Sequence, residues 1–437
     1  MIYPTLRAVV IAALGAPVAL VVGLLASDYW LVAPAWLALL ATVILLDGAA
    51  AAWNGRGMTV QLRAPGAIGA GTSALAGIDL AFVGRPGRRV ELAIEADDSL
   101  QVTPDRFRAT VEDRQVRAEV RLTPRRRGQA GLRDLWVRWS GPLGLVWAQQ
   151  RRKLNHTAAL TPDIAAVRSE AMRLFARDAM FGVKAQIDTG EGAEYHALKD
   201  FLPGMDRRAV DWKQSARHGR LLSKEFRTER NHHILLALDT GRTMCEPLAG
   251  LPRIDRAINA ALTLAFVSLK LGDRVGLFGF DAEPRLATGI TAGVSSFPLI
   301  QRLAAALDYS DAETNYTLGL SQLAGSLERR SLIVVFTEFA DPTSAELLIE
   351  NAARLTRRHL VLFVVMRDEE LEAIAQADPA EADDVSRAVT AAALIREREV
   401  VIARLLRTGA LIVDAPANAV GPELLNAYLD LKRRDLL

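Results

Sequence analysis

Three short segments of the chain combine acidic and hydroxyl side chains in a way that suits a divalent cation. The first runs from Asp239 to Thr243, the second from Glu313 to Thr317, and the third is Thr337 followed by Glu338. Magnesium prefers oxygen ligands in octahedral geometry and keeps several of its waters, so one carboxylate, two hydroxyls and a further acid suit an open site. An open coordination position invites an acidic side chain from another protein. The predicted ligands are Asp239, Thr243, Thr314 and Glu338.

A second candidate site lies in the polar stretch before residue 230. Trp212 is an aromatic anchor of the kind that dominates interface energetics, and charged residues surround it. With Gly241 from the first loop, the predicted partner-binding set is Arg207, Arg208, Asp211, Trp212, Lys213, Arg217 and Gly241. The alternative is structural: Asp211 pairs with Arg217 and clamps the segment in place, with Trp212 buried beneath them. We favour this structural interpretation.

The elements that must position the first site form an α/β pattern. After Arg230, apolar runs of strand length alternate with helical patterns, which is typical of a parallel sheet wrapped by helices. The runs are HHILLALD, DRVGLFGFD, SLIVVFTE, HLVLFVVM and GALIVDA, and each is followed by, or ends in, an acid: Asp239, Asp281, Glu338, Asp368 and Asp414. Ligands of such sheets bind at the carboxyl ends of the strands, so a row of carboxylates is expected along that edge.

Helix capping is the alternative role for these acids, because an Asp just after a strand often accepts hydrogen bonds from the first helical amides. We expect it for Asp368 and consider it for Asp414. If no metal binds, Asp239 and Thr243 would cap the helix that begins near Arg253, or bridge loop amides.

Two further regions precede the α/β part. Residues 56–163 show short alternating stretches such as RVELAIEA and VRAEVRLTP between turn residues, which predicts a small antiparallel β domain. Residues 8–26 and about 31–52 are apolar runs long enough to cross a bilayer, the second interrupted late by Asp47. A cleaved signal peptide is the competing interpretation of the first run, but the second would still anchor the chain.

The hairpin's flanking charges predict its orientation. The turn between the runs has no Lys or Arg, whereas Arg7 precedes the hairpin and Arg56 and Arg63 follow it. The positive-inside rule therefore places both termini and the soluble domains in the cytoplasm, beneath the inner (plasma) membrane.

Composition and missing motifs limit the function classes. A net charge of +2 gives no electrostatic reason to expect nucleic acid, and Cys245 is the only cysteine, so no internal disulfide forms. The sequence has no phosphate-binding GxxxxGK[ST] loop, no GxSxG nucleophile elbow and no HExxH pair. Cys245 lies near a helix start, which can lower a thiol pKa, but no histidine lies nearby in sequence to activate it. The sequence favours a protein that binds partners, not an enzyme.

The motifs resemble a known family. The order of strand, Asp-containing loop, distant Thr and strand ending in an acid looks like the metal-ion-dependent adhesion site of von Willebrand factor A (vWA) domains. The stretch GAEY, LKDFLPG and RRAVDWKQSAR, between residues 192 and 217, resembles the signature of the DUF58 family. That resemblance covers nearly the whole chain. It implies a bacterial membrane-anchored protein with a vWA-like domain that works with a MoxR-type AAA+ ATPase.

This chain departs from the family pattern at three positions. The resemblance implies Ser at 241 and 243, where this sequence has Gly241 and Thr243, and Asp at the end of the middle strand, where it has Glu338. A lost hydroxyl ligand and a longer acid make any Mg²⁺ site a degenerate one.

The resulting prediction has four regions: a transmembrane helical hairpin (1–55), a small antiparallel β domain (56–163), a linker with the DUF58-type signature (164–229) and a vWA-like, doubly wound, mostly parallel α/β domain (230–437). The predicted function is that of a membrane-anchored adaptor for assembly or maturation of other proteins. Two alternatives stay open. One is a metal-dependent hydrolase or nuclease using Asp239, Asp281 and Glu338, and the other is a structural envelope-assembly protein whose β domain does the binding.

Overall fold

A computed structural model describes the chain apart from residues 26–30, 85, 87–88, 164–166, 170–171, 174–188, 203–209, 228–230, 340–341 and 435. Its contacts divide the chain into two units, Met1–Asp163 and Ile164–Leu437.

Two apolar helices begin the first unit. Helix α1 spans Leu6–Leu25 and α2 spans Val32–Gly55. Among the described residues, the stretch Pro34–Gly55 of α2 is the one helix long and apolar enough to cross a membrane, while the comparable part of α1, Leu6–Val18, is shorter. Large apolar side chains such as Leu14 and Leu45 are exposed on both helices, as expected of surfaces that face lipid.

In the described part of the first unit, ten strands form two sheets. One sheet has the order β1-β10-β9-β5-β7, with β3 also paired to β10, and the other has the order β2-β4-β8-β6. All described pairings are antiparallel except β3 with β10. The strands are β1 (Ile2–Pro4), β2 (Thr59–Arg63), β3 (Ala67–Gly69), β4 (Ala74–Ala81), β5 (Arg89–Ala96), β6 (Leu100–Thr103), β7 (Arg106–Thr110), β8 (Gln115–Pro124), β9 (Gly128–Ser140) and β10 (Val146–Thr161).

The core of this β domain follows from residue alternation along its strands. From Leu135 onward every second residue of β9 is buried, namely Leu135, Val137 and Trp139, and these pack with Ile78 and Leu122 of the other sheet. The predicted antiparallel β domain is therefore confirmed.

Strand β10 is the main element that the sequence pattern did not reveal. It carries the basic run Arg151-Arg152-Lys153, and its Trp147–Lys153 half alternates polar and apolar residues only weakly. Arg151 bonds to the buried Asp134 of β9, so one member of that run is engaged in the sheet. At its first residues β10 pairs with β1, and the Met1 amino group donates to the Gln149 carbonyl oxygen at 2.9 Å.

A small antiparallel ribbon begins the described part of the second unit. Strands β11 (Thr189–Asp200) and β12 (Leu222–Arg227) pair, and helix α3 (Trp212–His218) lies between them in sequence. The sequence also predicts an amphipathic connecting helix from Ala165 to about Ala179, which falls mostly outside the described residues.

A mostly parallel sheet forms the centre of the second unit. Its order is β17-β16-β13-β19-β20-β21, with β18 also paired to β16. The pairs among β16, β13, β19, β20 and β21 are parallel, and β17 and β18 are antiparallel additions. These strands are β13 (His233–Asp239), β16 (Arg274–Phe280), β17 (Pro284–Ala287), β18 (Thr291–Ala292), β19 (Leu332–Phe336), β20 (Leu360–Arg367) and β21 (Leu411–Pro416); β14 (Pro247–Leu248) and β15 (Leu251–Pro252) form a separate ribbon.

Helices cover both faces of this sheet. Two apolar cores result, one containing Leu236 and Val334 and the other containing Leu235 and Val335, because neighbouring residues of a strand point to opposite faces. All five predicted strands are present, and the doubly wound, mostly parallel α/β fold is confirmed. The helices are α4 (Arg242–Cys245), α5 (Arg253–Lys270), α6 (Phe297–Ala305), α7 (Tyr316–Gly325), α8 (Pro342–Leu355), α9 (Glu369–Gln376), α10 (Ala382–Arg407) and α11 (Val420–Arg433).

Candidate functional site

Asp239, the last residue of β13, is the centre of a hydrogen-bond network at the carboxyl ends of the strands. Its Oδ1 accepts from the Thr314 hydroxyl at 2.7 Å and the Gly241 amide at 2.9 Å, and its Oδ2 accepts from the Thr337 hydroxyl at 2.6 Å. The Tyr316 hydroxyl lies 3.4 Å from Oδ2 and 3.0 Å from the Thr337 hydroxyl. The three predicted segments therefore meet at this edge of the sheet.

Burial determines the electrostatics of this carboxyl group. Asp239 is only 1 % exposed, and loss of water raises its pKa, since a charged form is poorly solvated in the interior. The bonds from Thr314, Thr337 and Gly241 favour the ionised form and partly oppose that rise. A carboxylate held by so many donors organises loops well, but few of its lone pairs remain for another ligand.

Backbone bonds tie the same loops together. The Arg242 amide donates to the Ala312 carbonyl oxygen and the Asn315 amide to that of Asp281, each at 2.9 Å. Asn315 also caps α7 through the Leu318 amide. The result is a preorganised rim, which we define as Asp239–Arg242, Ala312–Tyr316 and Thr337–Glu338.

The predicted ligand Thr243 does not lie in the expected position beside Asp239. Thr243 lies within α4, and no hydrogen bond in the described part of the chain joins its hydroxyl to Asp239. Thr337 takes that place. The sequence named Thr337 and Tyr316 only as members of their segments, and their spacing gave no sign that both would reach Asp239.

Glu338 lies near two arginines whose presence there could not be expected from the sequence. Its carboxylate oxygens lie 3.9 Å from Nε of Arg253 and 3.6 Å from Nε of Arg398. Burial raises the pKa of Glu338, and the two guanidinium groups counteract that rise. Arg253 also contacts Asp368 at 2.9 Å, and Arg398 contacts Asp414 at 2.8 Å. Buried Arg253 and partly buried Arg398 thus lie among three acids of the predicted row.

The predicted helix caps have different outcomes. Asp368 caps α9, because its side chain accepts from the Leu371 amide at 3.0 Å. Asp414 lies inside β21 and pairs with Arg398, so the cap considered for it is wrong. The helix beginning at Arg253 has Pro252 at its N-cap, so Asp239 does not cap it and bonds to the Gly241 amide instead.

Asp281 is the remaining acid of the row. Both its oxygens lie 2.9 Å from Nε of Arg285, and Oδ1 accepts from the Glu283 amide at 3.1 Å. Burial would raise the pKa of Asp281, but these bonds outweigh it and lower the pKa. Beside it opens a cavity of about 390 Å³, lined by Thr240, Asp281, Arg285, Ala306 and Tyr309 among others.

Cys245 is not an activated thiol. Its Sγ lies 3.5 Å from the Thr240 carbonyl oxygen and accepts from the Ser310 amide at 3.3 Å. Burial raises its pKa, with nearby acids adding to the effect, so the lowering that a helix start can cause does not occur here.

The oxygen atoms at the rim are paired with one another in this arrangement. Thr314 bonds directly to Asp239, and a Cβ at position 241 would collide with the Thr314 hydroxyl. The Glu338 carboxylate lies between arginines. As arranged, this donor set does not fit a magnesium ion: Thr314 would first have to turn away from Asp239. No group of three His, Cys, Asp or Glu side chains suited to a metal occurs in the described residues.

The predicted partner-binding patch is only partly described. Arg207 and Arg208 lie outside the described residues. Asp211 caps α3, accepting from the Gln214 amide at 3.1 Å, while Lys213 and Arg217 are exposed on that helix. Trp212 is 69 % exposed, so the favoured interpretation that buried it is wrong: the first turn of α3 directs it to solvent.

Comparisons with known proteins give one family match. Residues 197–402 match the family described as "Protein of unknown function DUF58". That range covers the end of β11, α3, β12 and most of the α/β domain, which confirms the resemblance seen in the sequence. No curated protein matches the chain.

Among the solved structures similar to this chain are three from bacterial proteins. BatB, a conserved hypothetical protein from Bacteroides thetaiotaomicron, is 14 % identical over 45 % of this chain and 98 % of its own, with a TM-score of 0.28. An aerotolerance-related membrane protein from Bacteroides fragilis is 15 % identical over 45 % and 100 %, with a TM-score of 0.27. The vWF domain of the type V pili tip protein Mfa5 from Porphyromonas gingivalis is 17 % identical over 25 % and 38 %, with a TM-score of 0.22.

Proposed function

From its DUF58 region and its vWA-like fold, we propose that this membrane protein is an adaptor. The rim and the adjoining cavity dock another protein, and the N-terminal helices keep that complex at the membrane. One observation carries the proposal: the rim is internally bonded and rigid, while the cavity beside it stays open. Preorganised surfaces favour binding because little conformational entropy is lost on association.

The partner we propose is a MoxR-type AAA+ ATPase, and the process is assembly or maturation of other proteins. The support is the DUF58 resemblance together with exposed charges on the rim. The Arg242 guanidinium lies 3.3 Å from the Glu313 carboxylate, and both side chains are largely exposed, so they can exchange this weak pair for one with a partner. The soluble units would then face the cytoplasm, where ATP is available.

Binding suits the site better than hydrolysis. A metal-dependent hydrolase would need Asp239, Asp281 and Glu338 to share a cation. Each carboxylate instead has its own partners. Asp239 accepts from hydroxyl groups, Asp281 pairs with Arg285, and Glu338 lies between Arg253 and Arg398. Mg²⁺ is therefore proposed at most as a modulator that binds weakly once Thr314 moves.

The test is a direct binding measurement. The full chain in lipid nanodiscs is titrated with a purified MoxR-type ATPase from the same bacterium, with magnesium and with EDTA. Ala306 lines the cavity and is exposed, so Ala306→Trp fills the space without entering the core. We expect this change to weaken binding at least tenfold, which is about 1.4 kcal/mol.

Ala403→Trp is the matched control. It adds the same side chain to an exposed position near the end of α10, which leads into β21 at the other edge of the sheet. Equal affinity of the two variants would contradict docking at the cavity. Turnover of an ester or phosphodiester by the wild type, lost in Asp239→Ala, would favour the hydrolase. If every rim variant still binds the partner and binding requires the β domain, the envelope-assembly role would be favoured.

A further inference from the structure

We propose that the turn between β9 and β10, residues 141–145, is inserted into the membrane beside the helices. Asp47 locks this turn onto α2, and Leu143 at its tip contacts lipid. The boundary of the membrane then lies at the level of the β domain and not at residues 56–58, which follow α2.

Asp47 supplies the first step. It interrupts an apolar helix and is buried, a costly position for a carboxylate unless donors satisfy it. Its Oδ1 accepts from the Leu143 amide at 2.8 Å, and its Oδ2 accepts from the amides of Leu145 at 2.9 Å and Val146 at 3.0 Å. The β9–β10 turn therefore provides the donors that make this acid tolerable. At Gly141 any Cβ would collide with the Asp47 carboxylate, so the close approach requires glycine.

Apolar packing places the turn between the two helices. Leu145 and Val146 form a cluster with Ala8 of α1, and Ile11, Val43 and Ile44 pack against it. Thr5, just before α1, fixes the turn from the other side: its hydroxyl donates to the Gly144 carbonyl oxygen and its amide to that of Leu145, each at 2.8 Å. The turn is thus held by residues of both helices.

The depth of the turn follows from its contacts. Asp47 lies eight residues before Gly55, the end of α2, which is about 12 Å along a helix that rises 1.5 Å per residue. The apolar stretch that can cross a membrane, Pro34–Gly55, includes that position. Contacts at Val43, Ile44 and Asp47 therefore put the turn alongside the spanning stretch and not beyond its end. Arg7 of α1 lies beside Gly144 of the turn, and its long, exposed side chain can extend to the headgroups.

Exposed apolar side chains identify lipid as the neighbour. Leu143 is 61 % exposed, and Leu45 and Leu46 of α2, next to Asp47, are exposed to a similar extent. Burying this surface in hydrocarbon is favourable at roughly 25 cal/mol per Å². At the end of α2, the Arg56 guanidinium lies 5.6 Å from the exposed Trp53 ring, a pair suited to the headgroup region. The apolar surface of the turn is continuous with that of the helix.

Site-directed fluorescence tests the insertion. In the full chain carrying Cys245→Ala, Leu143→Cys is labelled with an environment-sensitive dye and reconstituted into vesicles of phosphatidylethanolamine and phosphatidylglycerol. We expect blue-shifted emission and several-fold quenching by nitroxide-labelled lipids. Leu75→Cys is the matched control, because Leu75 on β4 is equally exposed and belongs to the other sheet. Its label should respond to aqueous iodide instead.

Two results would overturn the proposal. A label at 143 that responds to iodide like the label at 75 would place the turn in water. A label shielded from both quenchers would mean that protein, not lipid, covers it. Asp47→Ala tests the lock: lipid quenching at 143 should fall while the signal at 75 stays unchanged. Near-UV circular dichroism of the same sample distinguishes this local release from unfolding. None of these measurements depends on the adaptor role.

Discussion

Asp239 accepts hydrogen bonds from three side-chain hydroxyls and one backbone amide while almost fully buried. Removing this carboxyl strands several donors in the interior, and an unsatisfied buried polar group costs about 1–3 kcal/mol. Asp239→Ala should lower the unfolding free energy of the protein by at least that amount. Asp239→Asn, which keeps an acceptor oxygen and the volume, should cost less. Chemical denaturation of both variants measures the difference, and equal losses would contradict a role for the hydrogen bonds.

Gly241 determines how closely Thr314 approaches Asp239. A side chain at 241 would occupy the position of the Thr314 hydroxyl. We expect Gly241→Ser, the residue implied by the family pattern, to displace Thr314, free one Asp239 oxygen and add a hydroxyl. Magnesium should then raise the melting temperature of the variant more than that of the wild type. Gly289→Ser, at an open position outside the rim and without a left-handed backbone, should show the wild-type response.

His359 should make stability depend on pH. Burial lowers its pKa, with the charge of Arg358 adding to the effect. The unfolded chain therefore takes up a proton at about pH 6.5 while the folded chain resists it, so stability falls as the pH drops below that value. His359→Gln should flatten the dependence of unfolding free energy on pH between neutrality and pH 5. His218→Gln, at an exposed position, should leave it unchanged.

At the scale of elements, two arginines connect the strand ends to the surrounding helices. Arg253 begins α5 and contacts Asp368, the cap of α9, while Arg398 of α10 contacts Asp414 of β21; Glu338 lies between them. Removing one partner of a buried ion pair typically costs about 3–5 kcal/mol, because the other charge stays buried.

Arg253→Met should therefore destabilise the protein strongly at neutral pH. Adding Glu338→Gln should recover part of the loss, since the stranded charge is removed with it. Thermal denaturation of the single and double variants gives the coupling between the two sites. Strictly additive effects would show that Arg253 acts through Asp368 or packing alone.

The elements themselves could largely be predicted from local patterns. Runs such as HHILLALD and RVELAIEA became strands because a buried strand is continuously apolar and a half-buried one alternates. The sequence did not predict β10, because Arg151 and Lys153 face outward on a strand whose other residues alternate only weakly between polar and apolar. Tertiary pairing with β9 fixes its conformation, and no local pattern reports that pairing.

The site was less predictable than the elements. Strand ends placed Asp239 and Thr337 at one edge, as the topology of a parallel sheet requires, whereas Thr314 reaches it from the loop before α7. Which hydroxyl reaches the carboxylate depends on loop conformation, and so does the choice of counter-ion for Glu338. Arg398 lies sixty positions beyond Glu338 in the sequence, so its role could be found only in three dimensions.

At the scale of the whole molecule, the N-terminal helices should determine both location and orientation. The protein should remain with membranes after an alkaline carbonate wash, because apolar burial does not depend on peripheral charge contacts. A reporter enzyme that is active only in the cytoplasm, fused after Leu437, should be active. Activity from a periplasm-specific reporter instead would contradict the orientation inferred from Arg7, Arg56 and Arg63.

The pairing of β1 with β10 has a consequence for processing of the chain. Ile2–Pro4 covers the backbone edge of Val146–Ala148, next to the turn that Asp47 holds. A peptidase cut between the two helices would free β1 to leave with α1. The exposed backbone edge could then pair with strands of other copies. The cleaved protein should therefore aggregate under conditions in which the intact protein does not.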